Sequence, residues 1–355
     1  MKKVLKTAAK ILGIPVAIVL VAAVGLVTWL TVTEYKPEAV ETVQVSGQAS
    51  EALNQREFTV LSWNLGYCAL GVESDFFMDG GKEVRPDSVN LVTKNRIGAE
   101  QLIAQTGADF TLLQEVDSDS RRSYGVDEVS LFRASWPNWD SAYALNYSCD
   151  FVPYPLPPIG KVHAGLLSFS SFDVREARRI SLPCPFSWPM RAVNLKRCLL
   201  VERIPIEGSE RELVLVNLHL EAYDDGEGKK AQTEQLLRLL NEEYAKGNYV
   251  VAGGDWNQAF PGTLDAYPIH VKTWVPGVLD PADVGDWSFA FDASVPTCRL
   301  LNQPYDPADT ENTQYYVIDG FLVSPNLEVS VVETVDQGFA FSDHNPVLLT
   351  VSLGE

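Results

Sequence analysis

Short β-rich runs recur along residues 58–353 and set the terms for any fold this chain can adopt. They are FTVLSW (58–63), DFTLLQ (109–114), AGLLSFS (164–170), CLLVERIPI (198–206), ELVLVNLHL (212–220), NYVVAGG (248–254), YYVIDGFLV (315–323) and PVLLTVSL (346–353). Runs of this length, rich in β-branched and aromatic residues, read as strands. Helical patterns lie between several of them. The clearest covers 229–246, where Thr233, Leu236, Leu237, Leu240 and Tyr244 fall at helical intervals and Gly247 supplies the stop. Another covers 89–106, closed by Gly107. Composition is 46% hydrophobic, ample for a packed core, and no repeat or Pro/Ser linker interrupts the chain after residue 57. The mixture predicts one α/β domain, 58–355, around a large sheet system.

The first 32 residues stand apart. Lys2, Lys3, Lys6 and Lys10 precede 11–32, which carries no charge and would span about 33 Å as a helix, enough for a bilayer core. A signal peptide also begins with a basic segment, but its apolar part is shorter, about 7 to 15 residues, and no convincing small-x-small cleavage site follows Val32. The expectation is an uncleaved anchor. Lysines before the span and Glu34, Glu38 and Glu41 after it place the N-terminus (1–10) in the cytoplasm and the rest outside. Residues 33–57, polar and without a sustained apolar period, read as a linker.

Without the four N-terminal lysines, 24 basic residues face 47 acidic ones, about −23 in net charge. Such a surface repels polyanions, and no Lys/Arg cluster exceeds pairs such as Arg121-Arg122 and Arg178-Arg179, so nonspecific nucleic-acid binding is disfavoured. Five cysteines lack any C-x-x-C spacing and exclude a disulfide scaffold or structural zinc site, although Cys184 and Cys198 could bridge. The segments SWPNWD (135–140), FVPYPLPPIG (151–160) and LPCPFSWPM (182–190) read as surface loops.

The strands share an oddity at their ends. FTVLSW runs into Asn64, DFTLLQ into Glu115, ELVLV into Asn217 and His219, and NYVVAGG into Asp255 and Asn257. YYVI runs into Asp319, and Ser342-Asp343-His344 precedes PVLLTV. Any one of these is an ordinary turn or cap residue. Together, with two of the four histidines among them, they suggest shared chemistry. Carboxylates with an amide suit a hard cation such as Mg²⁺ or Mn²⁺, and phosphoester hydrolysis needs charge neutralisation, an oriented water and a proton for the leaving oxygen. The glycines before Asp255 would let backbone and phosphate approach closely.

The ordered set WNLGY, LLQEV, NLHLEA, GGDWNQ, IDGFLVS and SDHNPV resembles the endonuclease/exonuclease/phosphatase superfamily over about 58–353. The resemblance implies a four-layered α/β sandwich with two central sheets flanked by helices, and a Mg²⁺- or Mn²⁺-dependent site at one sheet end. It implies Glu115 as principal metal ligand, Asn64 beside it and Asp343 as accessory metal-side carboxylate. His344 would contact the scissile phosphate and Asp319 would orient it. Asp255 would activate the attacking water and Asn257 position phosphate or water. His219 would support phosphate binding or leaving-group protonation, with Asn217 a further phosphate ligand on the same strand face. Several nuclease members carry a carboxylate where this chain has Gly66, which speaks against a second metal site there. His163 matches no family position and reads as a loop histidine, whereas Arg197 stands where members often place a site-facing arginine.

The expectation is therefore a monomeric, membrane-anchored phosphoester hydrolase, with a lipid or small-molecule phosphodiester favoured. The aromatic residues Trp136, Trp139, Phe151 and Tyr154 are available either for a membrane or headgroup or for packing. A DNase-like endonuclease is the alternative, and a non-catalytic binding module on the same scaffold is the alternative of another class.

Overall fold

A computed structural model describes residues 2–224 and 226–354, with residues 2–12 described as backbone only. Met1 and the lysine side chains of 1–10 thus lie outside the described residues. The first helix, α1, covers Lys2–Val32. Its part Gly13–Val32 is apolar, long enough to cross a bilayer and 6% buried; such a segment is either a single membrane span or a signal sequence.

Fourteen strands make the two large sheets among the described residues. In chain order they are β1 (Val40–Val43), β2 (Val45–Ser46), β3 (Glu57–Asn64), β4 (Phe110–Asp117), β5 (Asp140–Val152), β6 (Gly160–Ser170) and β7 (Glu176–Ser181). Then follow β8 (Cys198–Pro205), β9 (Glu212–His219), β10 (Tyr249–Asp255), β11 (Ser288–Ala290), β12 (Asp319–Val323), β13 (Leu327–Thr334) and β14 (Val347–Leu353). One sheet has the order β1-β7-β8-β9-β10-β12-β11, the other β13-β14-β3-β4-β6-β5-β2. Each holds seven strands, mostly antiparallel, around one parallel pair: β9–β10 in the first and β3–β4 in the second.

Those parallel pairs position the site. A parallel pair needs a crossover, here α2 (Val89–Thr106) between β3 and β4, and a later helix, Glu227–Ala245, between β9 and β10. Both helices lie on the outer faces. Val92, Ala99 and Ile103 of α2 pack on Leu61, Trp63 and Leu113, while Leu236 and Leu240 pack on Val214, Val216 and Val250. The inner faces meet through Phe58, Val60 and Leu112 on one side and Leu200, Leu215 and Val251 on the other. Helix, sheet, sheet, helix is the expected four-layer α/β sandwich. Burial on both faces explains why these strands read as continuous apolar runs.

Residues 33–57 are not a free linker. β1 pairs with β7 at the edge of one sheet, β2 pairs with β5 at the edge of the other, and Leu53 is fully buried in the inter-sheet core. The alternation in VETVQVS is too short to announce strands by itself; partners distant in sequence create them. The five cysteines are all free, Cys184 and Cys198 included. The glycines before Asp255 also differ from expectation. A Cβ on Gly253 would meet the Phe321 ring at 2.4 Å, and one on Gly254 the Leu218 carbonyl oxygen at 1.9 Å. They admit the neighbouring strand and the core rather than a phosphate.

Candidate active site

Because β3, β4, β9 and β10 run in register, their C-terminal ends arrive at one edge of the sandwich, where α/β sheets commonly place ligands. Asp255 stands opposite His219 on one side and opposite Asp319, the first residue of antiparallel β12, on the other. Asn64 ends β3 and reaches between the sheets, its amide donating to Asp255 (3.0 Å) and Glu115 (3.3 Å). Glu115 is aimed by a bulge: β4 loses register with β6 between Leu113 and Val116, and Glu115 has φ +54°, an unusual backbone for a non-glycine residue.

The segment Ser342–His344 closes the site from the second sheet. Ser342 donates to the Asn64 carbonyl at 2.7 Å, and the Trp63 indole donates to the His344 carbonyl at 2.8 Å, so the loop is locked to the end of β3. His344 Nδ1 lies 2.8 Å from Asp319 Oδ2, leaving Nε2 3.9 Å from the Asp255 and Asp343 carboxylates. His219 Nε2 is 3.4 Å from Asp255 Oδ2, and His219 Nδ1 is buried without a partner.

Electrostatics drives the two imidazoles apart. Burial, with Arg197 next, pushes His219 well below the usual histidine range. Burial also works against charge on His344, but Asp319 and other acidic neighbours outweigh it and raise its pKa well above that range. Near neutrality one ring is neutral and the other cationic, a division typical of paired acid and base roles. Burial, with Asp319 adding to it, raises the Asp255 carboxyl to about 7. Burial raises Asp343 to about 6; His344 opposes this and Glu115 adds to it.

Of the expected site residues, Glu115, His219, Asp255, Asn257, Asp343 and His344 line one cavity of roughly 470 Å³, and Asn64, Asn217 and Asp319 do not. Asn257, with φ +50°, enters it while its amide donates to the Leu220 carbonyl at 2.9 Å. Asn64 and Asp319 bond to the lining side chains of Asp255 and His344, whereas Asn217 bonds to none of them. It shares a strand face with His219 but sits one pleat deeper, fully buried. Its amide nitrogen donates to the Leu113 carbonyl (3.1 Å) and Ser168 (3.2 Å), and its oxygen accepts from Gln114 (2.8 Å). It ties the two sheets together and does not reach the cavity.

Arg122 is a cavity residue that its place in a basic pair gave no reason to single out. It forks onto Asp117 at 2.9 and 3.2 Å, lies 3.8 Å above the Tyr67 ring and approaches Glu115 at 3.8 Å. Burial opposes its charge, yet Asp117 and Glu115 hold it firmly cationic. Arg197 also lines the cavity, donating to the His219 carbonyl at 3.2 Å and pairing with Glu221. His163 sits within strand β6, outside the cavity lining.

The donor set suits a hard divalent cation. Glu115 and Asp343 both face the cavity, and the Glu115 charge adds to the cost of ionising Asp343, a repulsion that such an ion relieves. Two other groups bring three potential ligands together, Asp255–Asp319–His344 and Cys298–Asp343–His344. In the first, Asp319 is already bonded to the imidazole. In the second, burial pushes the Cys298 thiol up to about 12, and a soft sulfur donor suits Mg²⁺ or Mn²⁺ less well than the carboxylates do. A carboxylate side chain in place of Gly66 would be strained: the backbone there has φ +50°, and a Cβ would stand 2.8 Å from Asp343 Oδ1.

Comparisons with solved structures support the architecture. The chain superposes on an endonuclease/exonuclease/phosphatase from Beutenbergia cavernae with a TM-score of 0.56 at 18% identity, covering 84% of this chain and 72% of that one. A conserved protein of unknown function from Enterococcus faecalis gives 0.53 at 17% identity, covering 84% and 100%. An endonuclease/exonuclease/phosphatase from Bacteroides vulgatus gives 0.52 at 16%, again covering 84% and 100%. Identities this low speak for the fold alone. No curated protein matches significantly. The sequence profile of the Endonuclease/Exonuclease/phosphatase family, however, matches residues 61–344, and the chain belongs to that family.

Proposed function

We propose that the chain is a membrane-anchored, Mg²⁺- or Mn²⁺-dependent phosphodiesterase whose catalytic domain, 58–355, works outside the cytoplasm on a lipid or small-molecule phosphodiester. Residues 11–32 would be the retained span and 1–10 the cytoplasmic end. The observation that carries the reading is the convergence of His219, Asp255 and His344 with Glu115 and Asp343 on one cavity. Glu115 and Asp343 would hold the cation, with Asn64, whose amide donates to Glu115 at 3.3 Å, bracing Glu115 beside it. When bound, it would neutralise phosphate charge that the acidic pocket otherwise repels.

The remaining work falls to the chain's own groups. Asp319 accepts from Nδ1–H of His344, stabilising the cationic ring and holding it so that Nε2–H faces a phosphoryl oxygen. Asp255, with its carboxyl raised to about 7, is a stronger base than an ordinary carboxylate toward an attacking water, with about half of it ionised at pH 7. Its Oδ1 accepts from the Asn257 backbone at 2.8 Å, which keeps Oδ2 toward the two histidines. His219, held neutral, would contact the phosphate or the leaving oxygen. Asn257 would position phosphate or water, and Arg122 adds a cation on the Glu115 side.

The test is turnover by the full chain in detergent with Mg²⁺ on bis-p-nitrophenyl phosphate, sphingomyelin vesicles, inositol phosphates and plasmid DNA. The expected result is diester hydrolysis that EDTA removes and His344→Ala lowers at least about 100-fold. Plasmid nicking at physiological salt, abolished by His344→Ala, would favour an endonuclease instead. No turnover, with Mg²⁺ affinity unchanged in Glu115→Gln, would indicate a binding module.

A further inference from the structure

The cavity's apolar wall is shared with the end of the apolar helix. Leu26 and Leu30 of α1 pack into a cluster with Val152, Ile159, Val162 and Val193. Of these, Val152, Ile159 and Val193 also line the cavity. Polar contacts lock the junction. Glu34 pairs with Arg191 at 2.8 Å and Lys196 at 3.5 Å, and the Trp188 indole donates to Thr31 at 3.0 Å. Six residues later the chain is already in β1, so little slack separates helix from sheet. Beside this junction Leu156 is 89% exposed, Tyr154 69%, Met190 57% and Trp188 56%, a cost in water that a hydrocarbon surface removes. Leu26 lies six residues inside the end of the span, about 9 Å along the helix.

On the reading of α1 as a retained span and the site as a phosphodiesterase, we propose that this rim rests in the bilayer leaflet and the cavity's apolar half takes the hydrocarbon tail of a phosphodiester lipid from that leaflet. A helix packed against the wall fixes the wall at bilayer depth, and Tyr154, Leu156 and Trp188 then enter the interface as anchors. The cavity extends from His344 and Asp343 to Met190 and Val193, so one lipid could place its phosphate at the polar end and its tail against the helix-backed wall.

The experiment uses the full chain in phosphatidylcholine/sphingomyelin nanodiscs. In a Cys184→Ser background the other four cysteines are buried, and a nitroxide is attached at Leu156→Cys or, as a control at the far end of the sheets, at Ser209→Cys. The label at 156 is expected to be accessible to oxygen and shielded from a water-soluble nickel relaxant, and the label at 209 the reverse. Leu156→Glu is expected to lower hydrolysis of the bilayer sphingomyelin by about tenfold or more while leaving bis-p-nitrophenyl phosphate turnover within about twofold. A water-exposed label at 156 overturns the proposal, as does an equal loss on both substrates. A shielded label with no turnover of any phosphoester by the unsubstituted chain would instead overturn the hydrolase reading, and the lipid-tail assignment with it, leaving the membrane contact standing.

Discussion

Asn217 and His219 sit two residues apart on the same face of β9, and their surroundings differ in kind. Asn217 is enclosed between the sheets with donors and acceptor all engaged, so it adds cohesion and no chemistry. His219 is also buried but faces a cavity, has a ring nitrogen without a partner and stands 3.4 Å from an acid whose pKa burial has raised to about 7. The difference teaches that residue type and strand face do not distinguish a structural amide from a reacting group. One pleat of depth along the strand does.

The sharpest way to break that contrast is Asp255→Asn. It should lower kcat/KM by a factor of about 100 to 1,000 while leaving the melting temperature at pH 8 unchanged or higher, because a buried ionisable group is removed. A loss of activity that tracks a loss of stability would contradict the division. The converse change, Asn217→Ala, should cost about 1–3 kcal/mol in urea unfolding by stranding Gln114 and the Leu113 carbonyl, with kcat/KM moved less than about threefold.

The sealed region makes its own pH signature. Burial between the sheets raises Glu202 from 4.5 to about 8. The folded state therefore holds a proton that the unfolded chain releases, and its stabilising effect is complete below about 4.5 and lost as pH rises to about 8. Glu202→Gln should flatten that decline, raising the melting temperature by a few degrees at pH 9 and hardly at pH 4, with the pH–rate profile unchanged. A displaced pH–rate profile would mean the sealed and open regions are coupled. The smallest effect is expected at His163, where alanine should alter kcat/KM less than about twofold, as befits a histidine in β6 away from the cavity.

The site's residue types were legible because each follows a local signal, a strand interrupted at its end by an acid, amide or imidazole. The helix over 89–106 was legible for the same reason, since it ends on Gly107 in the left-handed region. Other features depend on partners far along the chain. β5 is a 13-residue strand, yet Asn146, Ser148 and Asp150 break its apolar pattern, and only pairing with β6 defines it. β1 and β2 exist because β7 and β5 offer them edges. Trp136 and Trp139, readable either as membrane contacts or as packing, prove to be packing beside Phe132 and Phe169, whereas Tyr154 is left exposed. Arg122 owes its position to Asp117 and Tyr67, a placement no spacing rule encodes.

The central claim is that the strand ends form one cation-holding centre, and anomalous diffraction from Mn²⁺-soaked crystals addresses it directly. The account predicts a peak at coordination distance, about 2.1 Å, from carboxylate oxygens of Glu115 and Asp343, which Glu115→Gln removes. A Mn²⁺ peak bound elsewhere, or one at this site that survives Glu115→Gln unchanged, would contradict it.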